Sequence, residues 1–131
     1  MTDNANLRKK ILLVDDDETH LSITEFYLKG KYDVYKVKSG KMALECLTSN
    51  LYIPDLILLD VVMPGMDGWE VFEKIKEIAL MKNTLIVFFT SVDDEDSKKK
   101  ALELGAVDYI TKPLKMALML EKIKDILSAH H

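Results

Sequence analysis

The sequence has one cysteine among 131 residues, so it cannot form an internal disulfide. Cys46 lies in a helical pattern, and we expect it to be a small buried apolar residue. The N-terminus lacks the apolar segment of a secretory signal, and no apolar run is long enough to span a bilayer. A chain of this length buries roughly two-thirds of its unfolded surface, so its core needs no crosslink. These absences predict a cytoplasmic protein without a membrane segment.

Basic residues are not in excess, because 18 lysines and arginines stand against 22 acids and give a net charge of -4. This balance disfavours a broad nucleic-acid surface, and we predict no direct nucleic-acid binding, although a local basic patch stays open. With 48% hydrophobic and 31% charged residues, the composition is that of a folded domain. No linker or repeat is visible. We predict one domain at residues 9–129, a flexible segment at 1–8 and a tag remnant at 130–131.

Five short apolar segments alternate with five helical patterns along the chain. The predicted strands are 10–14, 32–37, 55–60, 85–89 and 107–111, and the predicted helices are 18–30, 40–50, 69–79, 93–104 and 115–129. Alternation of this kind predicts a parallel sheet with helices on both faces. The first, third and fourth strands are the most continuously apolar and should be central. The predicted fold is therefore α/β, a flavodoxin-like doubly wound (βα)5 arrangement with strand order 2-1-3-4-5.

The helical patterns also predict which side chains face the core. We expect Asp17 to cap the first helix, Asp67-Gly68 to form a turn and start the third, and His20 to lie on a solvated face. Leu118 falls off the inward stripe of the last helix and is expected at an exposed partner surface. The first helical pattern carries Leu21, Phe26 and Leu28 among polar residues. The residues expected to face inward are Phe72, Ile75 and Ala79 in the third helix, and Met116, Leu120, Ile123 and Leu127 in the last.

Polar residues follow the predicted strands at their carboxyl ends. Asp15 and Asp16 follow the first strand, Asp60 ends the third, Thr90 follows the fourth, and Lys112 follows the fifth. In open parallel sheets, ligands bind beyond these ends, at the point where the strand order reverses. The sequence therefore predicts that one edge of the sheet gathers three carboxylates, a hydroxyl and an ammonium group.

This set of groups indicates phosphoryl transfer. Three close carboxylates repel one another and call for a cation, and an oxygen-binding divalent ion such as Mg2+ suits them. No histidine or cysteine lies at the strand ends, which argues against zinc. Lys112 suits an incoming phosphate, and Thr90 with the following backbone N–H can donate to another phosphate oxygen. The chemistry this favours is transfer of a phosphoryl group to a carboxylate.

Four motifs in order connect this pattern to a known family. They are Val-Asp-Asp at 14–16, Leu-Asp-x-x-Met-Pro-Gly-Met-Asp-Gly at 59–68, Thr-Ser at 90–91 and Tyr-x-x-Lys-Pro at 109–113. With these motifs the chain resembles a receiver domain of two-component response regulators, of the chemotaxis-regulator type. The resemblance implies that Asp60 is the phosphoacceptor and that Asp16 binds Mg2+ directly. Asp15 would act largely through water, and the backbone carbonyl of Val62 would complete the metal site.

The resemblance further implies that Thr90 and Lys112 bind the phosphoryl group and that Tyr109 is an aromatic switch, turning inward when Thr90 moves. It implies a cis Lys112–Pro113 bond, against a base rate of about 5–6% for X-Pro bonds. The phosphodonor would be a phosphohistidine on a histidine kinase or phosphotransfer protein. A downstream protein or a missing output domain would then read the face formed by the fourth helix, fifth strand and fifth helix. The chain would assist only its own phosphorylation and dephosphorylation, without turning over a separate substrate.

Two positions beside the site are apolar where the family is often polar. Val62 lies two residues after Asp60, and Val92 lies two residues after Thr90. In the family these positions influence how fast the phosphoryl group is lost. We hypothesise that the two valines hinder attacking water and make the phosphate on Asp60 long-lived.

Two other functions stay open. One is a receiver-like interaction module that is never phosphorylated, against which the complete set of polar residues argues. The other is a Mg2+-dependent phosphatase with an aspartyl nucleophile, which usually has a second acid two residues after the nucleophile, where this chain has Val62. The sequence does not separate a stand-alone receiver from a fragment of a larger regulator or hybrid kinase.

Overall fold

A computed structural model describes residues 8–130 of the chain. The predicted flexible segment at 1–8 lies outside the described residues except for Arg8, and so does His131. The Arg8 guanidinium donates hydrogen bonds to the backbone carbonyls of Lys29 and Tyr32. Across the described range, no helix combines the length and apolar character needed to cross a membrane.

Strands and helices alternate through residues 8–130 as the apolar pattern predicts. They are β1 (Lys10–Val14), α1 (Glu18–Leu28), β2 (Asp33–Val37), α2 (Gly40–Thr48), β3 (Leu56–Leu59), α3 (Gly68–Lys76), β4 (Leu85–Thr90), α4 (Glu95–Leu104), β5 (Asp108–Thr111) and α5 (Met116–Ala129), with a 3-10 turn at Ala79–Met81 between α3 and β4.

The five strands form one parallel sheet in the order β2-β1-β3-β4-β5, which confirms the predicted topology. Val14, the last residue of β1, pairs with Val37 on one side and with Leu59 on the other. Leu59 in turn pairs with Phe88 of β4. The carboxyl ends of β1 and β3 are therefore level, and the residues that follow them emerge at the same edge of the sheet.

Successive residues of the central strands enter two separate cores, because side chains alternate across a strand. On one face, Leu12 and Leu59 pack in a cluster that also holds buried residues of α2, α3 and α4. On the other face, Ile11 and Leu58 pack in a cluster with buried residues of α1 and α5. Both faces of β1 and β3 are covered, so their continuous apolar sequences have a direct structural cause.

Aspartates at the helix starts fix where α1, α3 and α4 begin. The carboxylates of Asp17, Asp67 and Asp94 each accept a backbone N–H three residues ahead. Each bond satisfies one of the N–H groups that a helix start leaves without a partner. The predicted roles of Asp17 and of Asp67-Gly68 are confirmed. Gly105 ends α4 in the left-handed conformation with φ 111°, as the glycine at that position indicates.

The residues that face the core differ in part from those predicted. In α1, Leu21, Thr24 and Leu28 face the sheet, and Phe26 is 65% exposed. Ala79 lies beyond the end of α3 and is exposed. Cys46 is only partly buried.

The inward stripe of α5 also differs from the prediction. Met119 is fully buried together with Ile123 and Leu127, whereas Met116 and Leu120 pack at the margin of the core. The buried residues are spaced four apart, beginning at Met119, which lies about one helical turn after Met116, the predicted first residue of the stripe. Leu118 is 47% exposed, as expected for a residue off the stripe.

Candidate functional site

Three carboxylates converge at the edge where β1 and β3 end. One oxygen from each of Asp15, Asp16 and Asp60 can be chosen so that all three lie within 4.8 Å of one another. Asp15 and Asp60 are 6% and 7% exposed, whereas Asp16 is exposed to solvent. The sheet itself imposes this grouping, because Asp15 and Asp60 come directly after the paired residues Val14 and Leu59.

Lys112 supplies the positive charge of the site. Its Nζ lies 2.6 Å from Asp15 Oδ2 and 3.3 Å from Asp60 Oδ2, and its side chain is 12% exposed. The same Nζ lies 5.3 Å from the centroid of the Phe89 ring. One ammonium group thus contacts two of the three carboxylates, which leaves the cluster with an excess of negative charge. Hard oxygen donors with excess negative charge, open to solvent at Asp16, fit a divalent cation such as Mg2+.

The loop after β3 folds back against Asp60. The Val62 N–H donates to Asp60 Oδ1 at 3.3 Å, and the Gly68 N–H donates to the Val61 carbonyl at 2.7 Å. A Cβ on Gly68 would lie 2.1 Å from the Asp60 backbone oxygen, closer than any real side chain permits. Gly65 adopts a positive φ of 76°, a conformation that favours glycine. The Pro-Gly and Asp-Gly pairs are therefore needed to bring the start of α3 against the end of β3.

A chain of hydrogen bonds connects the ends of β4 and β5. Thr90 is fully buried, and its Oγ1 accepts the Val92 N–H at 3.3 Å. The Tyr109 hydroxyl donates to the Val92 carbonyl at 2.6 Å. Burial raises the pKa of Tyr109, so the phenol stays protonated and able to donate. The backbone of Val92, through its N–H and its C=O, thereby links Thr90 to Tyr109, the two residues predicted to form the switch.

His20 belongs to the site, so its predicted place on a solvated face was wrong. Its Nδ1 lies 3.3 Å from Asp15 Oδ2, and its ring packs on Phe89 with centroids 5.3 Å apart. Burial and the Lys112 ammonium lower the pKa of His20, and the nearby carboxylates oppose that shift. The spacing of the sequence could have revealed this position, because His20 precedes the inward residues Thr24 and Leu28 by one and two turns of α1.

The structure thus brings together most of the residues that the sequence singled out. Asp15, Asp16, Asp60 and Lys112 form one cluster, and Val62 contacts it through its backbone N–H. Thr90 and Tyr109 stand at the same edge, bonded to Val92 rather than within the acidic cluster. The Lys112–Pro113 bond is cis, which confirms the expectation. The roles of these residues in metal binding, phosphoryl transfer and switching stay predictions.

A family model and several solved structures that resemble this chain all belong to receiver domains. A model described as the response regulator receiver domain matches residues 11–124. A CheY-like receiver domain protein of Methanospirillum hungatei is similar at 29% identity, with 94% of this chain and 96% of that chain covered and a TM-score of 0.85. The receiver domain of a signal transduction histidine kinase of Syntrophus aciditrophicus shares 31% identity, with 92% and 91% covered and a TM-score of 0.79.

A longer relative places the same fold inside a larger protein. The response regulator DrrB of Thermotoga maritima, an OmpR/PhoB homologue, shares 30% identity with a TM-score of 0.80. The match covers 93% of this chain and 54% of that one. The family model spans most of the sequence, and the strand order is the predicted 2-1-3-4-5. The chain therefore belongs to the response regulator receiver domain family.

Proposed function

We propose that the chain is a phosphorylatable receiver in which Asp60 accepts a phosphoryl group in a Mg2+-dependent reaction. The observation that carries the proposal is the position of Lys112 Nζ between Asp15 Oδ2 and Asp60 Oδ2, at 2.6 and 3.3 Å. An ammonium group held at this point neutralises negative charge beside the carboxylate that would react. Family membership supports the same role, because receiver domains are the phosphoacceptors of two-component signalling.

Asp15, Asp16 and Asp60 are the residues that would hold the metal ion, with the Val62 carbonyl as a further oxygen donor. Their oxygens already lie within 4.8 Å of one another, and the donor set consists of hard oxygens. When bound, Mg2+ would neutralise charge that accumulates on the phosphoryl oxygens during transfer. The exposed Asp16 marks the side from which the ion can enter.

The reacting group is the carboxylate of Asp60. One carboxylate oxygen attacks phosphorus, a P–O bond to Asp60 forms, the P–N bond of a phosphohistidine breaks, and the donor imidazole keeps the electron pair. Lys112 then moves from its two carboxylates to a phosphoryl oxygen. Thr90 is proposed to contact another phosphoryl oxygen through its hydroxyl, releasing the Val92 N–H that this hydroxyl now accepts at 3.3 Å.

Movement of Thr90 would alter the contacts of Tyr109, because Thr90 bonds to the N–H of Val92 and Tyr109 bonds to its carbonyl. We propose that the change shifts the chain between two conformations that differ on the α4–β5–α5 face. A downstream protein, or an output domain elsewhere in a longer regulator, would read this face. The exposed side chain of Leu118 on α5 suits such a contact. The donor would be a histidine kinase or a histidine phosphotransfer protein in the cytoplasm.

We further propose that the chain assists only its own phosphorylation and dephosphorylation. The rival phosphatase function lacks support at Val62, where an acid would be expected, and Val62 presents an exposed apolar side chain. The rival of an unphosphorylated module gains no support from the geometry, since Asp60 and Lys112 both point into the cluster.

The direct test is incubation with acetyl phosphate and Mg2+, followed by intact mass measurement of wild type and of Asp60→Asn. Wild type should gain the mass of one phosphoryl group, and Asp60→Asn should gain none. EDTA should abolish the gain for wild type. A wild type that acquires no phosphate, or an Asp60→Asn variant that acquires as much, contradicts the proposal.

A further inference from the structure

We propose that His20 is a positioning residue that holds the Asp15 carboxylate in the orientation the metal site requires. The inference rests on the proposed function and deepens its metal site. The predicted metal ligands are Asp15, Asp16, Asp60 and the Val62 carbonyl. His20 stands outside that set and acts through Asp15.

The contacts of Asp15 show how the orientation is held. Its Oδ1 accepts the backbone N–H of Asp17 at 3.0 Å. Its Oδ2 has Lys112 Nζ at 2.6 Å and His20 Nδ1 at 3.3 Å. Lys112 also contacts Asp60, so its ammonium is shared between two carboxylates and does not hold Asp15 alone. The His20 imidazole is the second side chain in contact with Oδ2.

Packing behind Asp15 is incomplete. A cavity of about 10 Å³ lies between β1 and α1 and is lined by Asp15, His20, Thr24 and Phe89, among others. The hydroxyl of Thr24 is buried there without a hydrogen-bond partner among the described residues. Close packing alone therefore does not determine the orientation of the Asp15 carboxylate. The His20 ring, seated on Phe89, limits that freedom.

His20 is better described as a positioning residue than as a ligand. Within residues 8–130, the group of acidic, histidine and cysteine side chains close enough to share one ion contains Asp15, Asp16 and Asp60 without His20. A residue that orients a metal ligand without touching the ion typically changes metal affinity by about 10–100-fold when it is removed.

Two substitutions separate the contact of Nδ1 from the packing of the ring. His20→Phe keeps an aromatic ring on Phe89 but removes the nitrogen. His20→Asn places an amide nitrogen near the position of Nδ1 but removes the ring. Ser22→Ala, on the exposed side of α1, serves as a matched control. Thermal unfolding of each variant establishes that it is folded.

Mg2+ affinity is measured by isothermal titration calorimetry on the whole chain, without phosphodonor. We expect His20→Phe to weaken Mg2+ binding about tenfold, with His20→Asn and Ser22→Ala within about threefold of wild type. If His20→Phe binds Mg2+ as wild type does, or if the Phe and Asn variants are weakened equally, the inference is overturned. A wild type that binds Mg2+ without accepting phosphate contradicts the proposed function alone. In that case the Mg2+ affinities of His20→Phe and His20→Asn still decide the role of His20. A wild type that binds no Mg2+ overturns both.

Discussion

At the scale of single residues, the site concentrates negative charge that the fold does not fully compensate. Asp15 and Asp60 are buried beside one ammonium group, and Asp16 adds a third carboxylate. Like charges within a few ångströms raise the free energy of the folded state unless a cation joins them. The residues that suit metal binding are therefore expected to lower the stability of the metal-free protein.

Replacing Asp60 with asparagine should make this cost measurable. In EDTA, we expect Asp60→Asn to raise the free energy of unfolding by about 1 kcal/mol, because one of three repelling charges is removed. Mg2+ should reduce the difference in the free energy of unfolding between the variant and wild type, since it stabilises the wild type by binding its folded state. Urea unfolding with and without Mg2+ measures both effects. Asp125→Asn, on an exposed part of α5, is the control, and its free energy of unfolding should stay close to that of wild type. An Asp60→Asn variant that is less stable than wild type in EDTA contradicts the expectation.

The side chain of Val62 is expected to set how long the phosphate lasts. It is 59% exposed in the loop that folds back on Asp60, where it can hinder an approaching water. Val62→Asn would introduce an amide able to orient water through hydrogen bonds. This should shorten the phosphate half-life about tenfold, which is less than the effect of about 10²–10⁴-fold of a true general acid or base. Decay of the phosphorylated mass over time measures the half-life.

Leu51→Asn is the control for this substitution, because Leu51 is 91% exposed in the loop between α2 and β3. It should leave the half-life unchanged. Loss of phosphate from the wild type within seconds, in the absence of any phosphatase, would count against the role of Val62.

At the scale of elements, the junction between β3 and α3 depends on one glycine. A Cβ on Gly68 would lie 2.1 Å from the Asp60 oxygen and 2.7 Å from Val61 Cα, and these backbone atoms cannot turn aside as a side chain could. Gly68→Ala should lower the free energy of unfolding by about 3 kcal/mol, the upper end of the usual cost of overpacking, because the clash is with backbone. Urea unfolding measures the loss.

Gly30 provides the matched control, because a Cβ there meets nothing within 4 Å and its φ is not in the left-handed region. Gly30→Ala should leave stability unchanged or raise it slightly, through the lower entropy of its unfolded chain. Equal effects of the two substitutions would show that the close approach at Gly68 is not what matters.

The segment between β4 and α4 is held by Tyr109. Its hydroxyl contacts a carbonyl 17 residues away in sequence, at Val92. Because one hydrogen bond contributes about 1 kcal/mol, Tyr109→Phe should increase amide hydrogen exchange at residues 92–95 about fivefold, while exchange in β1 and β3 stays slow. Hydrogen–deuterium exchange with mass spectrometry measures this.

Tyr27→Phe, at a half-exposed tyrosine of α1, should leave the exchange of residues 92–95 unchanged. If Tyr109→Phe also leaves it unchanged, the Tyr109–Val92 contact does not couple β5 to this segment.

At the scale of the whole molecule, the sequence was sufficient for the topology. The apolar runs at β1, β3 and β4 reflect burial on both faces of the sheet. The strand order therefore followed from these runs and from the alternation of strands with helices. The acids after β1 and β3 could be placed together for the same reason. The family motifs supplied the roles assigned to Tyr109 and Val62.

Side-chain contacts that depend on helix rotation were not predictable in the same way. The spacing of His20 from Thr24 and Leu28 indicates its side of α1, but not that its ring contacts Asp15 and Phe89. Ala79, Met116 and Leu120 were misjudged because a shift of one or two residues in a helix turns a side chain away from the core. The pairing of Lys112 with Asp15, across 97 residues, required the assembled sheet.

The central claim is that Asp60, and no other acid of the cluster, carries the phosphoryl group. Its most direct test is to phosphorylate the chain with acetyl phosphate and Mg2+, reduce the acyl phosphate with borohydride, and map the modified peptide by mass spectrometry. The account predicts reduction at Asp60 alone and none when Mg2+ is withheld. Modification at Asp15 or Asp16, or modification of Asp60 to the same extent without Mg2+, would contradict it.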